Sequence, residues 1–176
     1  ELFSSGWEKI VRCFIDRVAT FIETVGAGIW IGALAGFGYT VAGTVFQELP
    51  TITLAGEVNA SVLKRLNRLE FGAAASMAVV AIYFLCRSDS WTLVRLGKAV
   101  LVVGMSLILI YYALVLGERL EYLRSVEIQN FDVYDAAKRS FRDEFTLLHH
   151  RYTQLVKTNL CLGVGFLLLS AFEKRP

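Results

Sequence analysis

The sequence predicts an all-α fold: an integral membrane bundle of four transmembrane helices with amphipathic interfacial helices. Three observations carry that expectation. Hydrophobic residues make up 55% of the 176 positions and the mean hydropathy is +0.52, more apolar than a soluble domain of this length. Charged residues make up only 19%, and they collect between long apolar stretches instead of being spread evenly. Within those stretches, polar residues do not recur every three or four positions as they would on a buried soluble helix.

The elements follow in order. Residues 1–17 read as an amphipathic N-terminal interfacial segment, with Trp7, Ile10, Val11, Phe14 and Ile15 on one side and Glu8, Lys9, Arg12 and Asp16 on the other. Residues 18–176 read as the four-helix transmembrane domain. Its first span covers about 18–46 and stops before Pro50. The apolar run beginning near residue 18 is too long for a signal-peptide core.

An amphipathic connection, 51–68, presents Leu54, Val58, Val62, Leu66 and Leu69 on one face and leads into a second span at 69–86. The short polar link that follows holds Asp89, Ser90 and Trp91, the last a residue that anchors at membrane interfaces. A third span covers 96–116. A second amphipathic connection, 132–154, has Asp132 as its expected N-cap, with Asp135 three residues on. Its apolar stripe runs through Tyr134, Ala137, Phe141, Phe145, Leu148, Tyr152 and Leu155 into a fourth span at 155–172.

Four spans make a multi-pass protein with both termini on the same side of the membrane. Basic residues are divided between the two sides without an excess that assigns an orientation. A net charge of +2 gives no basic surface for nucleic acid. Cys13, Cys86 and Cys161 are odd in number and form no C-x-x-C pair, which argues against a disulfide framework or a zinc site. Asn59-Ala60-Ser61 matches an N-glycosylation sequon, a pattern common by chance.

The most specific pattern is a helix-packing ridge in the first span. Thr24, Gly28, Gly32, Gly36, Thr40 and Thr44 recur every fourth residue, leaving almost no side-chain bulk along one line. Helices in lipid associate by close packing, so small residues mark a contact line. The ridge is expected to serve internal packing of the bundle first, and docking of a partner second. Gly72 with Ser76, and Gly163 with Gly165, are smaller surfaces of the same kind.

Charged residues near span ends should snorkel, pair or line a wet cavity, because an ionised group in hydrocarbon costs several kcal/mol. Chain direction decides which can meet. Glu23 and Lys98 begin odd-numbered spans and are expected to pair. Glu70, Lys157 and Asn159 begin even-numbered spans and are expected to cluster at the other side, with Arg68 nearby.

His149 and His150 are adjacent, so they point about 100° apart on a helix and make no two-ligand face. No metal site is expected, and these two are the residual candidates for metal or haem. No G-x-S-x-G, Gly-rich phosphate loop or Cys/His pairing suggests catalysis.

Three stretches, GIWIGALAGFGYTVAGTVFQELP (28–50), AGEVNASVLKRLNRLEFGAA (55–74) and FRDEFTLLHHRYTQLVKTNL (141–160), resemble the transmembrane-protein-205-like family, domain of unknown function 4149. The resemblance extends over about 20–172, with fixed points at Trp30, Gly32, Phe46, Pro50, Asn67, His149 or His150, and Asn159. It implies a four-helix membrane domain, with a link to platinum-drug resistance in an animal relative, and supplies no catalytic or binding residues.

The expected function is a non-catalytic accessory or assembly subunit of a larger membrane complex. Its partners would be membrane lipids and other membrane subunits or further copies of itself. Bound lipid is plausible and no cofactor is expected. The alternatives are a small-molecule or metal/ion transporter, and a haem- or metal-binding redox subunit acting through His149 and His150.

Overall fold

The computed structural model describes residues 2–87 and 92–173, with side chains from Trp7 onward. Asp89, Ser90 and Trp91 of the second connection lie outside the described residues.

Among the described residues every regular element is helical, and the elements join into four rods. The first is α1 (Leu2–Gly36), continued through a π-helical stretch at Phe37–Val41 into α2 (Ala42–Glu48). The second is α3 (Ile52–Leu85). The third is α4 (Leu93–Ile110), continued through π-helical Tyr111–Leu116, α5 (Gly117–Tyr122) and π-helical Leu123–Ile128. The fourth is a single 3-10 turn at Ala136–Lys138 followed by α6 (Arg139–Phe172). All four rods are long and apolar enough to cross a membrane.

Local chemistry sets the boundaries. Leu49 and Pro50 end the first rod, with Leu49 already extended at ψ 143°. The Thr51 hydroxyl accepts the Leu54 N–H at 3.2 Å, and the Thr92 hydroxyl accepts the Arg95 N–H at 3.2 Å, so each caps the helix that follows. Gln129 ends the third rod with φ 60° and ψ −45°, in a γ-turn closed by the Asn130 N–H to the Ile128 carbonyl at 2.7 Å.

Three boundaries differ from the sequence expectation. α1 continues past Arg17 without a break, because no Gly or Pro lies between Trp7 and Val25. Residues 2–17 are therefore an extension of the first rod and not a separate interfacial helix. The third rod continues past Leu116 to Ile128, with Gly117 taken up in the helix after a π-helical stretch. The fourth rod begins only at Ala136, leaving Tyr134 outside it and exposed.

The rods pack in a ring: first on second, second on third, third on fourth, and fourth back on first. Their core holds Trp30, Met77, Met105, Leu109, Tyr112 and Phe166, none more than 1% exposed. Phe21, Val79, Ile82, Val100, Leu107 and Leu168 face outward, an apolar exterior that a water-soluble bundle would not present. At about 1.5 Å per residue the rods are about 50–70 Å long, against a ~30 Å hydrocarbon layer.

The excess length carries the polar pairs. Lys64 meets Glu121 at 3.3 Å, Arg124 meets Glu57 at 3.7 Å and Arg119 meets Glu144 at 2.8 Å, tying the second, third and fourth rods together. The face of α3 that turns inward there is Ala55, Asn59 and Leu63, not the expected one, and Leu54 and Leu69 are exposed.

Candidate functional site

Two buried polar clusters and one exposed ridge stand out. The first cluster lies where α1, α3, α4 and the end of α6 converge. Glu23 and Lys98 meet there at 2.5 Å, with exposures of 5% and 4%. Glu173, unforeseen from the sequence, joins them: its carboxylate accepts from Lys98 at 2.7 Å and from Arg95 at 2.7 Å. Burial raises the Glu173 carboxyl, but Lys98 and Arg95 outweigh it and hold it below the usual carboxylate range. A small cavity of about 10 Å³ adjoins the group, at the lower limit for one water. Beyond it, Asp16 pairs with Arg87 and accepts from the Tyr83 hydroxyl at 2.9 Å. Each charge in the group is paired with an opposite one, the arrangement of a structural clasp.

The second cluster centres on Glu70, 1% exposed. Here the expected cluster is corrected. Lys157 and Arg68 are exposed and take no part, whereas Asn159 is buried. The reason is rotational phase: Lys157 lies two residues from Asn159, and Arg68 two from Glu70, about 200° around a helix. The partner of Glu70 is instead the Tyr112 hydroxyl, which donates to its carboxylate. Tyr112 comes from the π-helical stretch of the third rod and stacks edge-on with Tyr152 of α6, ring centroids 5.2 Å apart. Asn159 donates through Nδ2 to the Met105 carbonyl at 3.3 Å, and its Oδ1 is left unpartnered. The Tyr152 hydroxyl and Asn67 Oδ1 are likewise buried without a hydrogen-bond partner. The sequence places Tyr152 on an apolar stripe and does not show which side chains Tyr112 and Asn67 meet; Asn67 lies three residues from Glu70 and Tyr152 seven from Asn159, spacings that put each pair on one helix face.

The ridge on the first rod also differs from expectation. Thr24, Gly28, Gly32, Gly36, Thr40 and Thr44 all face outward, and a Cβ built on Gly28, Gly32 or Gly36 would meet nothing within 4 Å. Internal packing uses the opposite face: Asp16, Ala19, Glu23, Ala27, Trp30 and Leu34. The glycines that permit close approach inside the bundle are others. Gly26 abuts Ser76 and Met77, with a Cβ there 2.9 Å from each, and Gly163 abuts Ile31 at 2.8 Å. Gly72 and Gly165 have open space.

Asp132 does not cap the fourth rod. Its carboxylate accepts the Ile52 N–H at 2.8 Å and the Thr53 N–H at 3.3 Å, so it caps α3 from the loop that follows the third rod. The bond network with Thr53 and these amides holds Asp132 below its usual range. Asp135 takes the local role, accepting the Ala137 N–H at 2.9 Å. The Arg142 guanidinium fixes the same loop by donating to the carbonyls of Asn130 and Val133, each at 2.7 Å.

The His149 ring stacks on Phe145 with centroids 5.9 Å apart, and His150 is exposed with its ring 3.5 Å from Gln154 Nε2. Among the described residues no three His, Cys, Asp or Glu side chains are grouped to hold a metal. Asn59 of the sequon is 9% exposed on α3, and its Nδ2 donates to the Ala42 carbonyl at 3.4 Å, so no oligosaccharide fits there. No family model matches the chain, and no curated protein or solved structure is similar to it.

Proposed function

We propose that this chain is a non-catalytic, multi-pass membrane subunit that docks through the outward ridge of its first rod onto a transmembrane helix of another subunit. The observation that carries this reading is that Gly28, Gly32 and Gly36 stand open on the exterior while the bundle's own packing is complete without them. The ridge threonines favour such docking. Thr24 donates to the Thr20 carbonyl at 2.8 Å and Thr44 to the Thr40 carbonyl at 2.6 Å, and Thr40 donates to Gly36, so the ridge presents no unmet donor to an apolar partner. Small-residue ridges let helix backbones approach where lipid provides no hydrophobic drive for association.

Both termini belong to one side of the membrane in this reading, and lipid covers the remaining exterior. A groove of about 340 Å³ along Phe21, Val25, Ile29 and Gly72, with Arg68 at its rim, suits an acyl chain beneath an anionic headgroup.

The test is gentle solubilisation of the native membrane, then native-gel migration and mass spectrometry. Co-migration with a stoichiometric partner, lost in Gly32→Ile and Gly36→Ile while the purified variants keep wild-type helix content and stability, supports the reading. A band at twice the chain mass, lost in the same variants, makes the partner a second copy. Migration of the wild type as a lone monomer refutes it.

A further inference from the structure

Glu70 presents a charge problem that the assembly reading leaves unanswered. Its carboxylate is 1% exposed, and among the described residues no lysine, arginine or histidine is paired with it; burial and the Tyr112 hydroxyl are the influences acting on it. An ionised carboxylate taken out of water is strongly penalised unless a positive charge accompanies it. Among the described residues the other buried carboxylates each have one: Asp16 has Arg87, and Glu23 has Lys98.

The groups gathered around Glu70 are oxygen donors. Tyr112 uses its proton on Glu70, which leaves the lone pairs of its oxygen turned elsewhere. Asn159 lies beside the Tyr112 hydroxyl and Asn67 beside the Tyr152 hydroxyl, while Asn159 Oδ1, Asn67 Oδ1 and the Tyr152 hydroxyl make no hydrogen bond of standard geometry. Asn159 is 0% exposed and Tyr152 is 6% exposed, yet Asn159 Oδ1 and the Tyr152 hydroxyl have no partner. Buried polar atoms left unsatisfied forfeit the hydrogen bonds that water would have given them. Three unpartnered oxygens beside one uncompensated carboxylate are a ligand set for a hard cation. The Asn159 amide is already aimed, because its Nδ2 is fixed on the Met105 carbonyl of α4. The Tyr112 oxygen comes from a π-helical stretch, an irregularity frequent at functional positions.

We propose that Glu70, Tyr112, Tyr152, Asn67 and Asn159 form a buried site for one monovalent metal cation, with sodium as its probe. The valence follows from charge: one carboxylate and one monovalent ion make a neutral unit, whereas a divalent ion would leave a net positive charge in a low-dielectric core. The site is separate from the first-rod ridge, so it stands or falls independently of the assembly reading.

The experiment is thermal unfolding of the purified full chain in detergent, with sodium chloride replacing choline chloride at constant ionic strength. An ion that binds only the folded form raises the transition temperature with the logarithmic dependence of linkage. A rise in wild type that disappears in Glu70→Gln supports the site. Tyr152→Phe keeps the carboxylate but removes one ligand oxygen, and is expected to raise the half-saturating sodium concentration about tenfold, equivalent to roughly 1.4 kcal/mol. That variant carries the test if Glu70→Gln does not fold. No sodium response in wild type, an equal response in Glu70→Gln, or an unaltered half-saturation in Tyr152→Phe overturns the proposal. So does stabilisation by acid alone, which would make Glu70 a neutral hydrogen-bonding carboxyl.

Discussion

Replacing Lys98 with Met is expected to destabilise the bundle more than removing either of its carboxylate partners singly. The Lys98 ammonium joins Glu23 at 2.5 Å and Glu173 at 2.7 Å from a side chain only 4% exposed. Met preserves length and apolar packing, so the change isolates the charge. Without the ammonium, Glu173 keeps Arg95 at 2.7 Å, but Glu23 loses its hydrogen-bonded partner at 5% exposure. Breaking a buried pair from one side costs about 3–5 kcal/mol. Glu23→Gln is milder, because Lys98 remains paired with Glu173 and the amide oxygen still accepts; a lost charge-assisted hydrogen bond costs about 1.5–3 kcal/mol. In the double variant Lys98→Met with Glu23→Leu neither charge is left alone, so a coupling of about 2 kcal/mol should appear. The assay is equilibrium unfolding in mixed micelles with increasing SDS, followed by circular dichroism. A cost below about 1 kcal/mol for Lys98→Met, or strictly additive single changes, would refute the clasp.

Further predictions concern the glycines and the loop. Gly26→Ala should destabilise the isolated chain by about 1–3 kcal/mol, because its Cβ would lie 2.9 Å from Met77 Cγ and Ser76 Oγ. Gly32→Ala, in open space, should instead stabilise it by roughly 0.5–1 kcal/mol through helix propensity; the same SDS titration reads both. Asp132 is held below its ordinary value of 3.8, so its contribution is present above that value and is lost as pH falls through the lowered one. Amide exchange at Ile52 and Thr53 should therefore lose protection on acidification in wild type, and Asp132→Ala should show low protection at every pH. Arg142→Gln should raise exchange across residues 130–133, whose carbonyls it holds, without affecting α4.

The sequence was most informative where lipid-like physics leaves few choices. Long apolar runs in lipid favour helices, and the alternation of their direction places Glu23 and Lys98 at one end, where they pair. Helix phase was the weak point. Lys157 and Asn159 are two positions apart and cannot both turn inward, yet composition treats them alike. The ridge failed in a related way: spacing of four shows that small residues share a line, but not whether that line meets the bundle or its surroundings. Tyr152 reads as one aromatic residue of the apolar stripe, and spacing alone does not show that Tyr112 donates to Glu70. Glu173 read as part of a polar tail, and only the fold shows that it turns back onto Lys98.

The cap on α3 also bears on the order in which the chain is made. Asp132 reaches the amide of Ile52, a residue synthesised 80 positions earlier. While the ribosome is still producing the third rod, the first amides of the second have only Thr51 as a local acceptor. Closure of that end therefore waits for the loop at 129–135, so a connection made later completes a helix made earlier. A chain arrested before that loop is expected to expose a frayed α3 start, a local mark by which quality control could tell unfinished bundles from finished ones.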